Sequence, residues 1–139
     1  MNKDDFKFFT EIEVRVSDLN YGGHVGNDRY LSFFQDARIR YLNRFGYSEL
    51  SVGENIGLIM SESHVVYKAQ AFLGDVLKIG VRVSNMGSIK FDMEYLIVRD
   101  KDDTMIASGS TRMVGYDYAK MKVSKIPVDF YDRIRNFEE

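Results

Sequence analysis

The spacing of apolar residues differs in one segment from that in the rest of the chain, and this difference constrains the fold more than any other feature of the sequence. Between residues 28 and 45 the large apolar side chains recur every three or four positions, which predicts one amphipathic helix roughly 27 Å long. Asn27 or Asp28 is suited to cap its first turn, and Gly46 lies where a left-handed C-terminal cap would fall. Because the apolar stripe is wide, we expect the helix to be largely buried. Its members are Tyr30, Leu31, Phe34, Ala37, Ile39, Tyr41, Leu42 and Phe45.

Outside this helix the period is two, as in β-strands with one buried face. Alternation runs through residues 8–16 and resumes at residue 58. The turns at 85–88 and 100–103 are rich in Asn, Gly, Ser and Asp, which suits antiparallel hairpins. Pro127 begins a short amphipathic C-terminal helix. The later strand candidates are Leu58–Ala71, Val76–Asn85, Ile89–Arg99 and Thr104–Tyr116.

These elements fit one architecture in a single domain that spans residues 1–139. Because a lone sheet must cover its apolar face, we predict an α+β fold in which a curved antiparallel sheet of about five to six strands wraps around one long central helix. The other sheet face is only half polar, and long edge strands favour pairing with a second copy. We therefore expect a homo-oligomer.

The composition excludes several classes of chemistry. The chain has no cysteine, which rules out thiol nucleophiles and cysteine-based metal centres, and its two histidines are too few for a three-histidine site. A net charge of −2 provides no global basic field for nucleic acid or an anionic membrane. No apolar run approaches the roughly 18 residues of a membrane helix, and the first residues are unlike a secretory signal. We expect a soluble, cytoplasmic protein with no metal, no nucleic-acid partner and no membrane partner.

The loop at residues 17–27 concentrates the polar side chains that could carry chemistry. It holds Asp18, Asn20, His24 and Asn27 among three glycines and leads into the predicted helix. The first turn of a helix can polarise a carbonyl through its free N–H groups, and Asp, Asn and His can orient or activate a water. On the residues alone, the loop is either a ligand-binding loop or an ordinary turn that caps the helix.

The same loop and the helix after it resemble a known family. Residues 16–30 read VSDLNYGGHVGNDRY and are followed by LSFFQDAR, a pattern similar to that of hotdog-fold acyl-CoA thioesterases of the 4-hydroxybenzoyl-CoA thioesterase-like branch. Tyr67, Gly74-Asp75, residues 117–122 and Ile126-Pro127 follow at similar spacing. The resemblance implies a sheet around a central helix, a dimer or tetramer, and hydrolysis of an acyl-CoA or acyl-carrier-protein thioester. It implies no cofactor, since coenzyme A enters as part of the substrate.

The resemblance also implies a role for each residue of the loop, with one departure. Asp18 corresponds to the first acid of the family's Asp-x-Asp pair, but Asn20 stands where the catalytic acid is usual, and an amide takes no proton at neutral pH. His24 corresponds to the histidine of plant-type acyl-carrier-protein thioesterases, and the backbone N–H near Asn27 to the group that polarises the thioester carbonyl. We expect His24 or Asp18 to activate the water, with Glu62 of a neighbouring subunit as the second choice.

Other polar residues have two interpretations each. Glu62 and His64 lie two apart on one face of a predicted strand, and they could form an acid–base pair or a hydrogen-bonded pair that faces solvent or an interface. Charged and polar groups elsewhere could hold the substrate and the phosphates of coenzyme A. The residues that we select for this role are Gly23, Tyr30, Ser88, Lys90 and Lys120.

Two other functions remain open. With Asn20 in place of the acid, the protein could bind acyl thioesters without turning them over. A hydratase or dehydratase of the same fold is a further alternative, and the loop pattern fits it less well. The acyl group cannot be inferred from the sequence, because such a pocket is built by packing at a subunit interface.

Overall fold

Six strands and two helices form the fold, and the computed structural model describes all 139 residues. The strands are β1 (Phe8–Glu13), β2 (Gly57–Tyr67), β3 (Val76–Ser84), β4 (Lys90–Arg99), β5 (Met105–Asp117) and β6 (Lys122–Val123), and the helices are α1 (Arg29–Arg44) and α2 (Val128–Glu138). The sheet is antiparallel with the order β1-β3-β4-β5-β2, and β6 pairs with β5. Neither helix has the length and apolar character needed to cross a membrane. The predicted arrangement of one sheet around one long helix is confirmed.

Helix α1 packs against the sheet and supplies much of the core. Its fully buried apolar side chains are Phe34, Ala37, Tyr41 and Leu42. The Phe34 ring stacks on Tyr95 of β4 with the two centroids 4.4 Å apart. Gly109 of β5 permits this approach, since a Cβ there would lie 2.6 Å from the Phe34 ring. The helix therefore depends on a residue without a side chain to reach its position on the sheet.

A buried arginine also ties α1 to the sheet. Arg38 is 3% exposed, and its guanidinium donates to the Glu49 carboxylate and, at 3.0 Å, to the Tyr95 hydroxyl. That hydroxyl lies 2.7 Å from Thr111 Oγ1 on β5. Burial raises the pKa of the Tyr95 phenol, which stays protonated. Because a buried charge is costly without its partners, this network fixes the position of α1 along the sheet. It therefore also fixes the position of the N-terminal end of the helix.

The predicted helix is confirmed, although its details differ in two places. It begins one residue later than predicted, and neither Asn27 nor Asp28 caps it with a side chain, since Asp28 itself has helical backbone angles. Gly46 has a φ of +81°, as predicted for the C-terminal end. The expectation of a largely buried helix is wrong for one side, where Leu31 and Ile39 are exposed.

Two predicted strands end earlier than their alternation indicates. Strand β1 stops at Glu13 because the chain enters a 3₁₀ turn, and Val16 is 71% exposed instead of facing the core. Strand β2 stops at Tyr67 and not at Ala71, because the next two amides both donate to the Ile106 carbonyl and break the regular ladder. Strand β6 was not predicted, since two residues are too few to show a period.

Strand β2 is one edge of the sheet, and the middle of that edge has no partner. The side chains from Met60 to His64 are all exposed. One end of the edge is covered, since Leu58 N–H donates to the Glu49 carbonyl at 2.7 Å, and beyond the other end Val25 N–H donates to the Ala71 carbonyl at 2.9 Å. The chain therefore leaves one short, defined length of strand free to pair.

Candidate active site

The loop of residues 17–27 is anchored at its start by Asp18. This carboxylate is 8% exposed, and one oxygen accepts the Arg15 N–H at 2.9 Å while the other accepts the Arg29 guanidinium at 3.1 and 3.2 Å. The Asp18 carbonyl also accepts the Gly26 N–H at 3.1 Å. Asp18 therefore joins both ends of the loop to the first turn of α1, and both of its carboxylate oxygens are engaged.

The tip of the loop is a tight turn that brings Asn20 towards His24. Asn20 N–H donates to the His24 carbonyl at 2.9 Å, and Asn20 Oδ1 accepts the Gly22 N–H at 2.9 Å. Gly23 has a φ of +82°, a conformation that favours glycine. A Cβ at Gly22 would lie 3.2 Å from both Asn20 Oδ1 and His24 Nε2. The two polar side chains thus converge over a glycine that leaves room for them.

The second half of the loop lies against the segment that follows β2. Val25 N–H donates to the Ala71 carbonyl at 2.9 Å, and the Tyr67 hydroxyl donates to the Asn27 carbonyl at 3.2 Å. The second bond fixes the peptide that enters α1. The end of β2 therefore positions the start of the helix.

A cavity of about 270 Å³ lies between this loop and the end of β2. The residues that line it are His24, Val25, Asn27, Tyr30, Tyr67, Lys68, Ala69 and Gln70. The amide N–H groups of Asn27 and Asp28 donate to no acceptor within the chain. They lie at the positive end of α1, where free N–H groups stabilise an oxygen that gains negative charge.

Two tyrosines form one wall of the cavity. The rings of Tyr30 and Tyr67 meet edge to face with centroids 5.3 Å apart, and Tyr30 is 3% exposed. Burial, reinforced by Tyr67, raises the pKa of the Tyr30 phenol. The phenol is therefore protonated at neutral pH and is available as a neutral hydrogen-bond donor.

The structure brings some of the five predicted catalytic residues together and separates others. His24 and Asn27 line the cavity. Asp18 and Asn20 belong to the same loop but do not line it. Glu62 lies on β2, outside the loop, where it is half exposed and its carboxylate is 3.2 Å from Arg112. The loop alone therefore provides one imidazole and one free backbone amide at the cavity.

Of the predicted substrate-binding residues, too, some lie at the cavity and others lie far from it. Tyr30 lines the cavity, and Gly23 lies at the exposed tip of the loop. Ser88 and Lys120 are exposed in the turns before β4 and after β5, and Lys90 is the exposed first residue of β4. Within β5, the positions paired with Lys90 and with Tyr67 are seven residues apart, which is about 23 Å of strand. One chain therefore does not bring these three residues to its own cavity.

Lys68 and Gln70 line the cavity but were not predicted as site residues. Their signal in the sequence is weak: two polar residues at the end of a strand that was expected to continue to Ala71. The break in alternation after Tyr67 is the only local indication that the chain turns there towards the loop.

Comparisons with known proteins agree with this geometry. Residues 14–134 match a family model described as the thioesterase-like superfamily. The acyl-CoA thioesterase YbgC of Haemophilus influenzae is 26% identical over 125 residues, which are 88% of this chain and 90% of the relative.

Solved structures show the same likeness. A thioesterase from Thermus thermophilus, complexed with coenzyme A and Zn, is 29% identical with a TM-score of 0.85, covering 97% of this chain and 96% of that one. Slr0204, a 1,4-dihydroxy-2-naphthoyl-CoA thioesterase from Synechocystis, shares the fold with a TM-score of 0.84 at 21% identity, covering 95% and 98% of the two chains. Because the family model covers most of the chain, the protein belongs to the thioesterase-like superfamily and has the predicted hotdog fold.

Proposed function

We propose that the protein hydrolyses acyl-CoA thioesters to a free acid and coenzyme A. The reaction class, thioester hydrolysis, is that of the superfamily and of the relatives compared above. The observation that carries the proposal is the cavity at the start of α1, where His24 and Asn27 meet beside unused backbone N–H groups. An acyl carrier protein is the alternative thiol carrier, and its thioester would present the same carbonyl.

In this proposal the thioester carbonyl oxygen accepts the Asn27 N–H at the positive end of α1. His24 takes a proton from a water, whose oxygen adds to the carbonyl carbon. The negative charge that develops on the carbonyl oxygen is stabilised by the backbone N–H. The C–S bond then breaks, and the thiolate of coenzyme A leaves and takes the proton from His24.

The remaining predicted catalytic residues have supporting roles or none. Asp18 holds the loop, because its two oxygens already accept hydrogen bonds from Arg15 and Arg29. Asn20 orients the water or the carbonyl from beside His24. Glu62 lies outside the loop of its own chain, 3.2 Å from Arg112, and Glu62 of a neighbouring subunit remains the second choice for the base after His24.

The proposal includes a homodimer, with a tetramer as its larger alternative. The open edge of β2 supports it, since an unpaired strand of this length invites a second copy. Gly23, Ser88, Lys90 and Lys120 remain candidates for the coenzyme A moiety, and the last three require a second subunit to reach the cavity. No cofactor and no metal take part, and we assign the protein to the cytoplasm.

A panel of acyl-CoA substrates tests the proposal. Purified protein incubated across pH 6–9 with short-chain, long-chain and aromatic acyl-CoAs should release free thiol, measured with a thiol-specific dye. The rate should not change after treatment with EDTA. Protein that leaves the whole panel intact is not an acyl-CoA thioesterase, and an EDTA-sensitive rate contradicts the metal-free mechanism.

The second candidate function is binding of acyl thioesters without hydrolysis. It is favoured by one observation, the amide of Asn20 in the place of the usual acid. Calorimetry separates the two functions: tight binding of acyl-CoA or coenzyme A with no release of thiol supports a binding protein.

A further inference from the structure

Tyr30 presents to the cavity a hydroxyl that no group of the chain satisfies. The tyrosine hydroxyls that form hydrogen bonds within the chain are those of Tyr41, Tyr67, Tyr95, Tyr118 and Tyr131. Tyr30 is 3% exposed, yet the buried polar side-chain atom that lacks both a partner and contact with solvent is Ser84 Oγ. The Tyr30 hydroxyl is therefore open to solvent, and because Tyr30 lines the cavity, it opens there.

This hydroxyl favours a ligand that carries an oxygen. In the free protein, water in the cavity can accept its hydrogen bond. An apolar group that displaced this water would leave the Tyr30 hydroxyl without a partner, which is costly in a buried position. A ligand oxygen in the same place would replace the water without that cost. The cavity therefore discriminates between ligands by what they place beside Tyr30.

The position of Tyr30 determines which part of a substrate meets its hydroxyl. Tyr30 follows Asn27 by three residues, which is about one turn at the start of α1. Helical side chains lean towards the N-terminal end of their helix, and this brings the Tyr30 ring towards the Asn27 N–H. In the proposed reaction that N–H binds the thioester carbonyl. The hydroxyl therefore meets the acyl group, and the phosphates lie beyond the long pantetheine arm of coenzyme A.

Lys68 adds a positive charge to the same cavity. It is the one lysine or arginine among the lining residues, and no Asp or Glu lines the cavity. The lysines that form ion pairs within the chain are Lys3 and Lys78. The Lys68 ammonium group is therefore free to bind an anion.

The charged groups next to the cavity are already engaged with one another. Arg99 donates to the Gln70 carbonyl at 2.6 Å. Its guanidinium also binds two carboxylates, Asp75 at 3.1 Å and Asp102 at 3.2 Å. These carboxylates are thus bound to Arg99 and leave Lys68 to an anion from outside the chain.

We propose that Tyr30 and Lys68 select acyl groups that end in a carboxylate, so that the substrates are coenzyme A thioesters of short dicarboxylic acids. The carboxylate accepts a hydrogen bond from the Tyr30 hydroxyl and pairs with the Lys68 ammonium group. Val25 and Ala69 provide apolar wall for the methylene groups in between. The volume of about 270 Å³ suits a short chain, since drug-sized ligands occupy sites of roughly 300–1,000 Å³. The inference rests on the proposed thioester hydrolysis and specifies its acyl group.

Two substrates of similar length test the selection: glutaryl-CoA ends in a carboxylate and hexanoyl-CoA in a methyl group. The wild type should have a kcat/KM about tenfold higher for glutaryl-CoA, measured by thiol release. Tyr30→Phe keeps the ring and should lower kcat/KM about tenfold for glutaryl-CoA, with less than about a twofold change for hexanoyl-CoA. Lys68→Gln should show the same selective loss. Lys7→Gln, which changes an exposed lysine outside the cavity, should affect neither substrate.

Three results of this assay overturn the inference and leave the proposed hydrolysis standing. The first is a wild type that cleaves hexanoyl-CoA as well as glutaryl-CoA or better. The second is a loss in Lys68→Gln that is equal for both substrates, because Lys68 would then bind the phosphates that both share. The third is an equal effect of Tyr30→Phe on both substrates, which would remove the hydroxyl from acyl selection.

Calorimetry keeps the inference testable if neither substrate releases thiol, a result that contradicts the proposed hydrolysis of these thioesters. A dissociation constant about tenfold lower for glutaryl-CoA than for hexanoyl-CoA, with the difference lost in Tyr30→Phe, would support the selection in a protein that binds without hydrolysis. Equal dissociation constants for the two thioesters would overturn it.

Discussion

His24 is the single side chain on which the proposed chemistry depends most. Its ring makes one long hydrogen-bond contact, 3.4 Å from Nδ1 to the Val25 carbonyl. We predict that His24→Ala lowers kcat by about 100-fold or more because the base is lost, while the melting temperature changes little. Thiol release and thermal unfolding measure the two effects. Tyr21→Ala, a change to a fully exposed neighbour in the same loop, should leave the rate as it is. An unchanged rate for His24→Ala would assign the base to another residue.

A substitution at Asn20 adds a possible base instead of removing one, because Asn20→Asp restores the family's usual acid. A carboxylate oxygen can still accept the Gly22 N–H that Asn20 Oδ1 accepts now, so the turn should be kept. We predict that Asn20→Asp raises kcat, since it adds a second base beside His24. The pH–rate profile of the variant should gain activity at lower pH, where a carboxylate is still ionised. A lower rate would mean that the amide itself contributes to catalysis.

Among the elements, the end of β2 has the clearest effect on the site, through Tyr67. Its hydroxyl donates to the Asn27 carbonyl at 3.2 Å and so holds the peptide that enters α1. We predict that Tyr67→Phe lowers kcat about tenfold through looser placement of the polarising N–H. The edge-to-face contact with Tyr30 needs no hydroxyl, so the fold should be preserved. Steady-state kinetics decide the matter: a change in KM alone would mean that Tyr67 contacts the substrate directly.

The elements also show how much could be predicted from the sequence. The long helix and the main strands were predicted because each repeats its hydrophobic period several times. The ends of β1 and β2 were not, because they depend on contacts with distant residues, such as the Ile106 carbonyl that ends β2. The same limit applies to the site. His24, Asn27 and Tyr30 lie on one continuous loop and helix, whereas the position of Lys90 relative to the cavity depends on which end of the sheet its turn occupies.

At the scale of the whole molecule, ion pairs across the outer sheet face contribute to stability in a pH-dependent way. Hydrogen bonding from Arg112 lowers the pKa of Asp92 below its ordinary value of 3.8. A lowered pKa means that the folded state binds this proton less readily than the unfolded chain. The stabilisation is therefore present above the ordinary pKa and is lost as the pH falls through the lowered one.

Asp92→Asn tests this contribution. We predict that the variant has a lower free energy of unfolding than the wild type at pH 6, and that the difference shrinks as the pH falls below about 4. Urea unfolding at a series of pH values measures it. Asp132→Asn, which changes an exposed carboxylate on α2, should show no such trend. If the difference in free energy of unfolding is the same at every pH, the lost stability comes from packing and not from the charge of Asp92.

The open edge of β2 has a consequence for enzymology. If the cavity is completed only when that edge is paired, an isolated subunit is inactive. The measured activity is then proportional to the fraction of subunits that are paired. Specific activity should then fall on dilution below the dissociation constant of the dimer. Assays at different protein concentrations would then give different specific activities, although the chemistry at His24 had not changed.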